Sequence, residues 1–271
     1  MAFLIVLTIF LGALAVQQAN AIDDNFNTYY KYLWGTDHFS VNPQGSEVQL
    51  KMDKYSGAGF TSKLEYGSGV FRIRMKIPDK ISGGVLTSFY LTEVPIGQTP
   101  GNHFEIDFEF PGTNGSVQTN VYDNDTGGRE QTFKLWFDPS KDFHTYEFVW
   151  NQRQIVFNVD NIPIRVFKNN LARGIQYPTK AMHIEASIWN ADWAGTVDWS
   201  KSPFIAYYGG FGFDACAGSV QQCNSDKYYW NKWELNEAQK KQMNEYRRKY
   251  MVYDYCWKQS TRKNECSMND L

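Results

Sequence analysis

His103-Phe-Glu-Ile-Asp-Phe-Glu-Phe-Pro-Gly112 alternates through most of its length. Phe104, Ile106, Phe108 and Phe110 fall on one side; His103, Glu105, Asp107 and Glu109 fall on the other. An extended chain turns successive side chains to opposite faces, so this stretch predicts a strand with one apolar face in a core and three carboxyls in file on the other. Like charges spaced about 7 Å apart along a strand repel and raise one another's pKa. A sheet with no further purpose would place Thr or Lys between them. The alternatives are a solvated acidic face or a cation site, but one strand offers metal ligands in a line rather than a shell. No metal and no cofactor is therefore expected.

Two carboxyls held in different protonation states are what cleavage of a glycosidic bond requires: one protonates the leaving oxygen, the other attacks or activates water. Glu105 and Glu109 have backbones roughly 13 Å apart on an extended strand. Side chains leaning together could close this to the roughly 5–5.5 Å of a retaining pair.

The same alternation recurs outward from this strand. Glu47–Met52, Gly69–Ile77, Val85–Leu91, Thr132–Phe137, Thr145–Trp150 and Gln154–Val159 read as short strands parted by Gly, Asn, Asp or Pro, with no helical period between them. Strands without long intervening helices imply antiparallel sheets, and hence an all-β sandwich. The chain holds 9 Trp, 17 Tyr and 19 Phe, enough to supply stacking surfaces for sugar rings beyond a core. Its formal net charge of −2 gives no basic field for nucleic acid and no polybasic patch for a membrane surface.

The N-terminus opens with an apolar run, Met1–Val16, and reaches Ala19-Asn-Ala21. The run falls short of the ~20 residues a spanning helix needs, and its small-x-small end reads as a secretory leader cut after Ala21, although the customary basic start is missing. Residues 1–21 are thus expected to be a signal peptide, 22–203 the β-sandwich, and 204–271 a C-terminal extension. The extension carries all four cysteines, Cys216, Cys223, Cys256 and Cys266. An even count in a secreted chain without Cys-x-x-Cys spacing predicts two disulfides, with three pairings open. Asn236–Tyr250 reads as a helix, capped by Asn236 with Gln239 three residues on, and with Leu235, Met243, Tyr246 and Tyr250 facing inward. Asn114-Gly-Ser116 and Asn124-Asp-Thr126 are glycosylation sequons.

The stretch from His103 to Gly112 resembles the active-site signature of the plant xyloglucan endotransglucosylase/hydrolases, a branch of the family 16 glycoside hydrolases, whose usual form is His-Asp-Glu-Ile-Asp-Phe-Glu-Phe-Leu-Gly. Ser56-Gly-Ala-Gly-Phe60, Thr119-Asn-Val-Tyr122, Leu135-Trp-Phe-Asp-Pro139, Ile162-Pro-Ile-Arg-Val166 and Tyr250-Met-Val-Tyr-Asp-Tyr-Cys256 follow in the family's order. The resemblance implies a concanavalin-like jelly roll of two curved antiparallel sheets. It makes Glu105 the nucleophile, Glu109 the general acid/base and Asp107 the residue that steers the nucleophile's charge. It places Gln118, Asn120 and Glu130 on the donor side of the cleft and Trp189, Asn190 and Trp193 on the acceptor side, with His103 also among the binding residues. It pairs Cys216 with Cys223 and Cys256 with Cys266, and has the C-terminal extension lengthen the acceptor side.

The implied activity is transfer of a xyloglucan fragment, or of a related β-glucan, between chains in the plant cell wall by a monomeric secreted enzyme; hydrolysis by the same residues is the alternative. A lectin-like module on the same sandwich would keep the groove and Trp189 but would not need three acids in file. Phe104 and Pro111 depart from the signature off the acidic face. The connection between Leu91 and His103 is longer than usual, the segment after Trp193 is shorter, and Glu185, on the same alternation as Ser187 and Trp189, has no assigned role.

Overall fold

The computed structural model describes residues 24–261 and 263–269; the leader expected over 1–21 lies outside them. The alternating segments assemble into two sheets of eight strands each. One runs, from edge to edge, Tyr30–Trp34, Ala58–Ser62, His183–Asn190, Val85–Thr92, His103–Pro111, Ser116–Asp125, Gln131–Lys134 and Met251–Asp254. The other runs Ile162–Lys168, Gln154–Val159, His144–Trp150, Tyr66–Lys76, Phe204–Gly209, Glu47–Met52 and Phe39–Val41, with Asp214–Ala217 joining Tyr66–Lys76. Every one of these pairings is antiparallel.

The apolar side of the acid strand lies where its alternation predicts. Phe104, Ile106, Phe108 and Phe110 are all buried, and three of the four have no accessible surface. Phe108 stacks on Phe148 at 4.8 Å and meets Phe157 edge-on at 5.5 Å, both from the facing sheet. Phe110 meets Tyr146 edge-on in the same way. Each such ring contributes about 1.5–3 kcal/mol by leaving water. The acids are thereby held at fixed heights on the opposite face.

Two differences from the expected organisation have clear causes. Residues 204–209 do not begin a separate extension; they form a strand between Tyr66–Lys76 and Glu47–Met52, with Phe204, Ala206 and Tyr208 fully buried. The change in composition near residue 203 thus falls inside the sandwich, whose pairing partners are distant in sequence. The strand expected over 132–137 ends at Lys134. Beyond it, Trp136 leaves the pleat to meet Tyr246 at 4.7 Å and Tyr250 at 5.4 Å on the C-terminal helix.

That helix spans Glu237–Tyr250, and its N-terminus carries a reciprocal capping box between Asn236 and Gln239. The C-terminal region covers the outer face of the second sheet: Trp230, Leu235 and Met243 pack with Val70, Val149, Val156 and Val166. Disulfides join Cys216 to Cys223, within this cluster, and Cys256 to Cys266. After the helix, Met251–Asp254 adds an edge strand to the acid-bearing sheet beside Gln131–Lys134. Arg129, almost fully buried, fastens the last turn to this sheet through Glu265 at 2.6 Å and Asp125 at 3.0 Å.

Candidate active site

Register fixes what lies beside each acid. Glu105 is level with Thr92 and Tyr122, Asp107 with Tyr90 and Asn120, and Glu109 with Ser88 and Gln118. One strand further, Tyr90 is level with Glu185, Ser88 with Ser187, and Leu86 with Trp189. All three acids line a single cleft of about 410 Å³, together with Trp34, Ser88, Tyr90, Pro100, Ser187 and Trp189. Ser88 and Ser187 share a 2.8 Å hydrogen bond in its floor. Gly59 lets Trp34 seat beside them, since a Cβ there would lie 2.7 Å from the indole nitrogen. The lengthened segment before His103 also acquires a place: Val94, Pro95, Ile96, Gln98 and Pro100 wall an adjoining space of about 340 Å³ that reaches Glu105 and Glu185.

Asp107 is 3% exposed; burial, then the charges of Glu105 and Glu109, push its carboxyl well above the usual range. Its Oδ2 has no hydrogen-bond partner among the described residues. Glu109 is pushed up to about 7, by burial first and then by the charge of Glu105, despite a hydrogen bond of 3.3 Å that Gln118 Nε2 donates to its Oε2. A carboxylic acid that keeps its proton near neutrality can protonate a leaving oxygen. Glu185 joins the same face, accepting a 2.8 Å hydrogen bond from the Tyr90 hydroxyl, and burial raises its pKa as well.

The expected binding residues separate into two groups. Trp189 and Trp193 are 40% and 57% exposed, and Asn190 is exposed beside them. Gln118, Asn120 and Glu130 lie across the acid strand, on its other flank. Asn120 is nearly buried: its Oδ1 accepts from the backbone N–H groups of Val121 and Arg129, leaving Nδ2 3.5 Å from Glu130 Oε1. The C-terminal strand extends the Gln118 flank, whereas Trp189 stands on the opposite one. Trp189 and the C-terminal strand thus lie on opposite flanks of the acid strand.

His103 sits apart from both groups. Expected among the sugar-binding groups, it is only 6% exposed and turns toward Glu105 instead of the open groove. Sequence reasoning missed Trp34, Ser88, Tyr90, Tyr122 and Pro100. Ser88 and Tyr90 alternate within Val85–Thr92, so the period was visible, but the pairing of that strand with the acids was not. Asn114 and Asn124 are both exposed.

Three acids in file, one of them holding its proton up to about pH 7, in a trench floored by hydroxyls and walled by indoles, point to a class: enzymes that act on glycosidic bonds. Residues 26–206 match the glycosyl hydrolases family 16. Over 254 residues the chain is 46% identical to xyloglucan endotransglucosylase/hydrolase protein 2 of Arabidopsis thaliana, covering 87% of this chain and 85% of that one. It is 42% identical over 262 residues to a xyloglucan endotransglucosylase/hydrolase of Brassica oleracea var. botrytis, covering 90% and 86%. Among solved structures, a Bacillus licheniformis β-glucanase superposes with a TM-score of 0.60 at 25% identity, covering 71% of this chain and 96% of its own. The Crh5 transglycosylase, at 21% identity and a TM-score of 0.55, shares the fold over 70% of this chain and 79% of its own. The chain belongs to glycosyl hydrolase family 16, in its xyloglucan endotransglucosylase/hydrolase branch.

Proposed function

We propose that this protein is a retaining endo-transglycosylase that cuts the β-1,4-glucan backbone of xyloglucan and passes the fragment to another glucan chain. The observation that carries the reading is three acids in file over one cleft, with Glu109 retaining its proton up to about pH 7. Glu105 attacks the anomeric carbon while Glu109 gives its proton to the departing glycosidic oxygen; the carbon–oxygen bond breaks and a glycosyl ester forms on Glu105. The 4-hydroxyl of an incoming chain then attacks the same carbon. Glu109, now a carboxylate, takes the hydroxyl proton, and Glu105 leaves as a carboxylate with the anomeric configuration retained.

Asp107 sits between them, and burial and its neighbours' charges favour its protonated form, which can donate a hydrogen bond toward Glu105 when that residue is the nucleophile. Gln118 positions Glu109 and, with Asn120 and Glu130, offers amide and carboxylate groups to sugar hydroxyls on one flank. Trp189, Trp193 and Asn190 serve the other flank. Water competes for the intermediate, and indole stacking that keeps a sugar chain in place favours transfer over hydrolysis. We place the enzyme outside the cell, in the wall, as a monomer with sugars on Asn114 and Asn124; exposure of both sequons supports this reading.

Incubation with xyloglucan and a labelled xyloglucan oligosaccharide tests the assignment, for the wild type and Glu105→Ala. Label entering polymer in the wild type and neither activity in Glu105→Ala is the expected result. Reducing ends rising without label transfer would make it a hydrolase. Binding with neither activity in the wild type would make it a lectin, and activity surviving Glu105→Ala would remove the nucleophile.

A further inference from the structure

His103, like Glu185, is a buried titratable group beside the acids that the scheme above leaves unused. Its Nδ1 lies 2.7 Å from the carbonyl oxygen of Gly101. A carbonyl only accepts, so Nδ1 carries a hydrogen and donates it. Nε2 then lies 3.4 Å from Glu105 Oε2, within ion-pair distance but not aligned as a hydrogen bond, and it has no hydrogen-bond partner among the described residues. Were the ring neutral, Nε2 would present a lone pair to a carboxylate oxygen, two acceptors confronting one another in a place with little access to water. A second proton on Nε2 turns this repulsion into an ion pair. The ring is stacked on Tyr122 with centroids 4.7 Å apart, so it has little room to turn away.

We infer that His103 is a charged positioning residue, an imidazolium that ties the Glu105 carboxylate to the loop over residues 93–102. The groups that face it are few. Glu105 lies on its own strand, and Glu93, at the start of the loop, adds a negative charge shared with Lys180 at 2.7 Å. Tyr122 on the neighbouring strand presents a ring whose hydroxyl is held far above its ordinary pKa, by burial first. Asp125, opposite His103 in register, turns its carboxylate to Arg129 and Lys263. Burial opposes the charge on His103, yet the Glu105 carboxylate and the Gly101 carbonyl outweigh it and lift the imidazole above its ordinary value.

The arrangement couples two parts of the cleft. Gly101 is adjacent to Pro100, which lines the trench beside Glu105. When Glu105 becomes a glycosyl ester it loses its charge, and the imidazolium loses the partner that stabilises it. The loop that walls the trench is thereby linked to the state of the nucleophile.

The inference rests on Glu105 being the nucleophile, but its test does not use turnover alone. The ring nitrogens of His103 are followed by NMR through a pH titration, in the wild type and in Glu105→Gln. The wild-type ring is expected to hold both protons at pH 6.5 and to titrate above the ordinary imidazole range; the variant should titrate lower, by about one unit or more, as loss of an opposite charge within 4–6 Å requires. In His103→Gln, which keeps a donor but no charge, the acid limb of kcat/KM should move to higher pH while the alkaline limb stays. A neutral wild-type ring at pH 6 would overturn the proposal. So would identical titration in Glu105→Gln, or a rate loss in His103→Gln that is uniform across pH. Survival of activity in Glu105→Ala would instead overturn the nucleophile assignment, leaving the ion pair intact.

Discussion

At Glu109, function and stability pull in opposite directions. Its folded-state pKa of about 7 stands above the ordinary 4.5, so the folded protein holds this proton more tightly than the unfolded chain does. The associated stability is fully present below pH 4.5 and is lost as pH rises through about 7. Above that, an ionised Glu109 costs the fold up to about 3 kcal/mol. Glu109→Gln is therefore expected to raise Tm relative to wild type at pH 8 and to lose that advantage at pH 4.5, as measured by calorimetry at both values. The same change should cut transfer by about 10²–10⁴-fold, the usual worth of a positioned proton donor. In the wild type, activity should decline as pH passes through about 7, where the acid is lost.

Among the elements, the acid strand was the most legible. Four apolar residues facing Phe148, Phe157 and Tyr146 are what its alternation calls for, and a period of two is a local property that needs no knowledge of partners. The helix at Glu237–Tyr250 was equally legible, because Asn236 and Gln239 satisfy each other's orphan groups within four residues. Asn236→Ala should cost about 1 kcal/mol of stability, measurable as a shift in denaturant midpoint with an unchanged slope. The strand carrying Trp189 makes a prediction of its own. With its indole 40% exposed over the cleft, Trp189→Ala should lower the ratio of transfer to hydrolysis while leaving stability nearly unchanged, which parallel assays of label transfer and reducing ends would show. A ratio equal to wild type would leave the stacking role without support.

Over the whole molecule, what the sequence concealed was pairing at a distance. Nothing local in Phe204–Gly209 says that it lies between Tyr66–Lys76 and Glu47–Met52, so a boundary drawn at residue 203 cut through a sheet. Nothing local in His103 says that it faces inward to Glu105, because the alternation assigns it to the polar side and stops there. The division of binding residues between two flanks likewise depends on strand order. Arg129 shows the same limit: its ligands Asp123, Asp125 and Glu265 come from one nearby strand and from the far end of the chain. Arg129→Met would leave buried carboxylates uncompensated and should cost about 3–5 kcal/mol. At about 2–4 °C per kcal/mol for a domain of this size, Tm should fall by roughly 6–20 °C.

On the proposed mechanism a sugar is bonded for a time to the Glu105 carboxyl. The most direct measurement is to stall turnover with a 2-fluoro-substituted β-glucan oligosaccharide bearing a good leaving group, digest the protein and sequence the modified peptide by mass spectrometry. One added glycosyl mass is expected on the peptide spanning residues 103–112, located at Glu105. An adduct on a different carboxyl, or inverted product with no adduct, would contradict it.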